Sequence, residues 1–268
     1  MERMKEMSTL LLHEFDPAEK AIFDPTTLFS PVPGMPKVAV SCFATVTFER
    51  MVRAVNGQPI GQLKCACQTF PIYKAEVNGV EVALYQSGVG APLCVGEMEE
   101  IFAMGVETVV LFGTCGVLDR DIEDCAVILP TSALRDEGTS YHYAPPSDEI
   151  AVNTRYGQLF LDMLAEKGVS CVTGKCWTTD SMYRETREKT ARRKASGCIC
   201  VDMECASCAA VAQFRKKNVL QFFYAADNLD AEVWDQRSLS NNARVEDKDV
   251  VAMIAIDAAV RILQSNDA

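Results

Sequence analysis

Residues 105–130 read GVETVVLFGTCGVLDRDIEDCAVILP, two apolar runs separated by a polar, glycine-bearing interval. Val109, Val110, Leu111 and Phe112 form an unbroken apolar run, the pattern of a strand covered on both faces rather than on one. Gly113 and Gly116 bracket Thr114 and Cys115, which reads as a strand ending in a sharp turn with exposed amides. The second run, ending in "CAVILP", reads as a short strand stopped by Pro130. Turns of this kind commonly hold an anion, yet Leu and Phe lead into this one and no cation does.

The same alternation continues in both directions. Upstream, Val38–Phe43 is a first core strand, and Asn78-Gly79 joins two alternating runs as a hairpin. Gly88–Pro92 is a loop opening a helix whose apolar face is Leu93, Met98, Ile101 and Phe102. Residues 1–36 read as an N-terminal arm that ends in the turn-rich FSPVPGMPK. Downstream come a polar loop (135–149), a helix over about 153–167, and the strand VSCVTGKCWTTD. A basic helix (184–194), the strand CICVD, a helix rich in small residues and the strand VLQFFYAAD follow. Val251, Ile254, Ala255, Ala258 and Ile262 recur at helical spacing and predict a closing helix. Strands alternating with helices imply an α/β class, a single domain over 37–268 with a mixed, largely parallel central sheet flanked by helices.

A chain of 268 residues with 49% hydrophobic and 24% charged residues is long enough for one large core and is not a disordered sequence. The net charge of −11 disfavours nucleic acid and acidic membranes as partners and leaves small molecules open. The start, MERMKEMSTLLLHEF, lacks the apolar core of a signal peptide, and no run of about 18 apolar residues occurs, so no membrane span is expected. Twelve cysteines in such a chain read as reduced thiols of a cytoplasmic protein rather than a disulfide framework. Cys65-x-Cys67 and Cys198-x-Cys200 fall in apparent strands, Cys205-x-x-Cys208 follows, and only two histidines are present. Buried small hydrophobes are therefore the expectation, and no metal site.

In α/β sheets ligands collect at the carboxyl ends of strands. Gly88–Pro92, Gly113–Gly116, Thr178–Tyr183 and Ala225–Asn228 lie at such ends, beside "VDME" at a strand-to-helix junction. Taken singly, a glycine loop is a turn and a strand-end Asp is a helix cap. In this order, however, "GVGAP" with Glu100-Ile101 eight residues on, then "GTCG", "VDMECAS" and "AAD", the chain resembles the nucleoside phosphorylases of the purine-nucleoside and uridine type over about residues 38–264. "RDEGTSYHYAP" resembles the uridine branch.

The resemblance implies cleavage of the bond between ribose C1′ and a base nitrogen with phosphate as nucleophile and co-substrate, and no cofactor. It implies that Glu204 accepts hydrogen bonds from ribose hydroxyls while Met203 packs on the sugar. It implies that Asp227 is the general acid on a purine ring, although Asn228-Leu229-Asp230 follow where an activating Arg is usual. Met182 and Tyr183 fall where the base stacks, and Arg184 stands near the uracil-reading positions. Thr114, Cys115 and Gly116 would bind phosphate, Lys64 is the candidate intersubunit cation, and His13 is the candidate for a histidine lent to a partner's ribose site. His13 and His142 also have blander readings, as an arm residue and a structural one, and the basic helix reads as a solvated face or as a lid. The resemblance implies homodimers or hexamers built from dimers, with sites at subunit interfaces.

Two departures concern phosphate. The first strand lacks the family's Gly-Asp-Pro turn and its following Arg, and Leu111 stands where a second Arg precedes the glycine motif. Each charged hydrogen bond lost costs about 1.5–3 kcal/mol, so Arg50, Arg53 or a neighbouring chain would have to compensate. Phosphorolysis is the first reading. A nucleosidase using water is the second, though Ala44–Thr47 replace that branch's glutamate cluster. A non-catalytic nucleoside- or base-binding relative is the third.

Overall fold

A computed structural model describes residues 10–240 and 242–266. Its strands are β1 (Val38–Cys42), β2 (Gln58–Lys64), β3 (Thr69–Val77), β4 (Val80–Gln86), β5 (Thr108–Val117), β6 (Val127–Asp136), β7 (Glu149–Ala151), β8 (Cys171–Thr179), β9 (Cys198–Asp202) and β10 (Asn218–Asn228). The helices are α1 (Pro25–Leu28), α2 (Thr45–Ala54), α3 (Ala91–Ala103), α4 (Gly157–Glu166), α5 (Arg187–Ala195), α6 (Cys205–Phe214) and α7 (Val245–Asn266).

All strands belong to one mixed sheet. β5 pairs in parallel with β1 along residues 108–112, in parallel with β10 along 108–117, and antiparallel with β9 at 116–117. The order β10-β6-β8-β9-β5, with β10 returning to β5, closes five strands into a ring; β1, β4, β3 and β2 extend from β5 as an open wing. On one edge of β5, residues 113–115 therefore lie between the end of β1 and the end of antiparallel β9 without a ladder partner. Helices cover both faces, as apolar strands such as β1, buried at every position, require. α2, α4 and α7 cover Val40, Val110, Phe112 and Phe222. α3 and α6 cover Leu111, Val109 and Tyr85.

The structure corrects three local expectations and adds a helix to which the sequence assigned no structure. The "GTCG" stretch is not a turn. It continues β5, and neither glycine takes a positive φ. Gly113 is small because Phe43 packs where a Cβ would stand, 2.7 Å from its ring. Pro130 does not stop β6, because the register slips between Pro130 and Ser132, and a bulge accommodates the missing N–H. The run Thr45–Ala54 forms a helix, burying Thr47, Phe48, Met51 and Val52 on one face. Cys65 and Cys67 sit in the β2–β3 turn rather than in a strand, with thiols 3.4 Å apart.

The hairpin and the closing helix are as expected. Val77 pairs with Val80 across Asn78 (φ 50°) and Gly79 (φ 80°), the left-handed pair of a two-residue hairpin. The closing helix buries Val251, Ile254, Ala255, Ala258 and Ile262. The segment ahead of β1 is strapped down through Phe15 against Phe214 and Arg215 near Asp24. Among the described residues no helix is long and apolar enough to cross a membrane, and no three His, Cys, Asp or Glu side chains are placed to hold a metal ion.

Candidate functional site

Asp202 and Glu204 divide the work at the end of β9. One carboxylate oxygen of Asp202 accepts the amides of Glu204 (2.9 Å) and Cys205 (2.6 Å), capping α6. The other accepts the Thr178 hydroxyl at 2.7 Å. Because Asp202 caps the helix, the Glu204 side chain is free to reach elsewhere, and it accepts the Gly90 amide at 2.6 Å from the loop before α3. Gly90 has φ 101°, a conformation that favours glycine at this approach. Burial, and then the Asp202 charge, push the Glu204 carboxyl well above the ordinary glutamate range. Met203 stands beside it, half-buried.

Asp227 lies near the end of β10, opposite Gly116 and next to a register slip. Burial raises its pKa, and its Oδ2 accepts the indole N–H of Trp234 at 2.8 Å. Trp234 is the donor that sequence reading missed; it is seven residues away, in a loop that returns to pair Asp235 with Asn228. Arg237 is near enough to draw the pKa down slightly, but its guanidinium donates to the Ile122 carbonyl. Asp227 faces a cavity of about 510 Å³ lined by Met182, Tyr183, Glu185, Arg187 and Trp234 among others. The structure thus unites Asp227, Met182 and Tyr183. Arg184 is exposed and outside that lining; Glu185 and Arg187 occupy the place expected of it. Burial, with the Asp227 charge adding to it, pushes the Glu185 carboxyl up to about 7.

α5 is neither free nor simply solvated. Lys189 and Arg193 both pair with Asp136 (2.6 and 3.1 Å), over the ring of buried Trp177, whose indole N–H donates to the same carboxylate. Lys194 pairs with Asp230, and Arg187 donates to the Glu232 carbonyl, so α5 is tied to the loop carrying Trp234.

A second cavity of about 340 Å³ opens where β1 ends, beside Gly113 and Thr114 of β5. Phe43, Thr45, Thr114, Tyr224, Ser240 and Lys248 line it, and Leu239 lines both cavities. Thr114 alone of the predicted phosphate residues lies there. Cys115 faces the other way, into an apolar cluster with Cys176, Cys200 and Cys205. Gly116 lies beneath Asp227, where a Cβ would stand 3.1 Å from Oδ1. Leu111 is wholly buried beside Tyr85, Cys94, Met98 and Cys208.

The remaining candidates are elsewhere. Lys64 is exposed on β2 and lines a separate groove with Pro92, Leu93 and Glu100. His13 is exposed and stacks on Tyr141 at 6.1 Å between ring centres; His142 is also exposed. Arg50 is held in a bidentate pair by Asp249, and with Arg53 it lines a groove between α2 and α7.

Comparison with known proteins agrees with this layout. A guanosine phosphorylase from Halorubrum lacusprofundi is 27% identical over 146 residues, which are 54% of this chain and 60% of that protein. A DeoD-type purine nucleoside phosphorylase from Bacillus cereus is 24% identical over 194 residues, 69% of this chain and 77% of that one. The fold superposes on a uridine phosphorylase from Vibrio fischeri with a TM-score of 0.72 at 18% identity, over 87% of this chain and 95% of that one. It superposes equally on a purine nucleoside phosphorylase from Toxoplasma gondii, with a TM-score of 0.72 at 17% identity over 86% and 94% of the two chains. A family model described as the phosphorylase superfamily matches residues 37–264, from the start of β1 into the last turn of α7, and the chain belongs to that family.

Proposed function

We propose that the protein cleaves the N-glycosidic bond of a nucleoside by phosphorolysis, releasing the free base and ribose 1-phosphate, and that it prefers purines. The observation carrying this reading is Asp227, a buried carboxyl with raised pKa, facing a base-sized cavity that Met182 and Tyr183 also line. Glu204 accepts the ribose hydroxyls, since two vicinal O–H groups suit the two oxygens of one carboxylate. Met203 packs on the sugar, and Met182 and Tyr183 lie against the base. As the C1′–N bond breaks, electrons withdraw into the base and Asp227 donates its proton there, so the base departs neutral. Trp234 keeps the carboxyl aimed, and phosphate attacks C1′ from the cavity that Thr114 lines. No cofactor beyond phosphate is needed.

Hydrolysis by water is the second reading, favoured by one observation: Leu111, where the family's second arginine is expected, is wholly buried among apolar side chains. A panel of purine and pyrimidine nucleosides, with and without phosphate, separates the two readings. Phosphate-dependent base release with ribose 1-phosphate is expected. Phosphate-independent release gives the nucleosidase, and binding without turnover a non-catalytic relative.

A further inference from the structure

Lys248 on α7 is 3% exposed, and its ammonium donates to the Ser238 carbonyl at 3.0 Å and to the Ser240 carbonyl. An ammonium carries three N–H donors, so one remains, and the side chain lines the 340 Å³ cavity. Among the described residues no carboxylate pairs with it. Asp124, whose charge reaches it, is taken by the Ser238 hydroxyl (2.6 Å) and by Arg244 (3.5 Å). A buried cation without a counter-charge is costly, and its natural complement is an anion in the space it faces.

The rest of the cavity suits an anion. The first turn of α2, a ten-residue helix, opens into it at Ala44 and Thr45, and among the described residues no side chain caps its amides. Thr45 Oγ accepts from Gln86 Nε2 at 2.8 Å, which leaves its own O–H to donate. Thr114 adds a second hydroxyl. We propose that Lys248, with Thr45, Thr114 and the α2 amides, forms a site for a tetrahedral oxyanion and supplies there the positive charge that the absent arginines would have carried. This rests on the phosphorolysis reading for its occupant, inorganic phosphate, and the shared Leu239 places that occupant next to the base cavity.

The test is calorimetric titration of the whole protein with inorganic phosphate, and with sulfate as a competitor. Wild type is expected to bind phosphate, Lys248→Met to bind at least ten-fold more weakly, Lys248→Arg to recover most of the loss, and Thr45→Val to weaken binding several-fold. Arg53→Ala, outside the cavity, should match wild type. Absence of phosphate binding by wild type overturns the site, and so does wild-type affinity in Lys248→Met. Should Lys248→Met not fold by circular dichroism, unchanged affinity in Thr45→Val overturns it.

Nucleoside binding without phosphate, read from tryptophan fluorescence, should survive in Lys248→Met. Phosphate bound through Lys248 with no base released from any nucleoside would sink the enzymatic reading and leave the anion site. Phosphate-dependent turnover unaffected by Lys248→Met would do the reverse.

Discussion

Two neighbouring carboxyls at the end of β9 show how little a residue type says about its task. Asp202 spends both oxygens on Thr178 and on the first amides of α6, a structural cap. Glu204, two residues on, is thereby released to meet the Gly90 amide and, in the proposed reaction, the sugar. Glu204→Ala should lower kcat/KM by about 10²-fold or more, as expected when charged hydrogen bonds of about 1.5–3 kcal/mol each are lost. Steady-state kinetics with the preferred nucleoside measures it, and full turnover in the variant would refute the ribose role. At Asp227, the Trp234 indole donates to the ionised carboxylate and so holds the pKa down against burial. Trp234→Phe should raise that pKa, keep the acid protonated to higher pH, and move the alkaline limb of the kcat/KM profile upward. A profile that does not shift would show that the indole serves packing alone.

At the scale of elements, β5 joins the ring of strands to the open wing, lines the second cavity through Gly113 and Thr114, and supports Asp227 at Gly116. Its glycines are demanded by close approach rather than by turning: at Gly116 a Cβ would stand 2.4 Å from Leu229 Cδ1. Gly116→Ala should cost about 1–3 kcal/mol through overpacking. It should also raise KM for the nucleoside, because Asp227 must move away. Denaturant unfolding and kinetics test the two effects, and a variant as stable as wild type would contradict the packing seen here.

For the molecule as a whole, buried carboxyls set the response to pH. Burial pushes Glu97 and Glu185 from the usual value of 4.5 up to about 7, and raises Asp202 and Glu204 in the same direction. The folded state therefore holds protons that the unfolded chain has released. By linkage, stability from these groups is full below about pH 4.5 and declines as pH rises towards 7. The melting temperature of the ligand-free protein should fall as pH rises from 4.5 to about 7, and Glu97→Gln should flatten the slope. A melting temperature that rises across that window would show that these groups ionise freely in the fold.

The α/β class, the hairpin at Asn78-Gly79, the closing helix and the strand-end positions of Glu204 and Asp227 were legible in the chain, because each follows from local periodicity or from a motif in order. Trp234 and Lys248 were not, since a loop and a distant helix carry them to their sites and no spacing announces that arrival. The "GTCG" stretch shows the limit most plainly: its composition favours a turn, yet pairing with β10 holds it extended. Ladder hydrogen bonds and close packing on both faces outweigh glycine's freedom to bend. Sequence by itself determined the family and the order of its strands. Only the tertiary structure decided which side chains meet at each cavity, because those contacts join segments far apart in the chain.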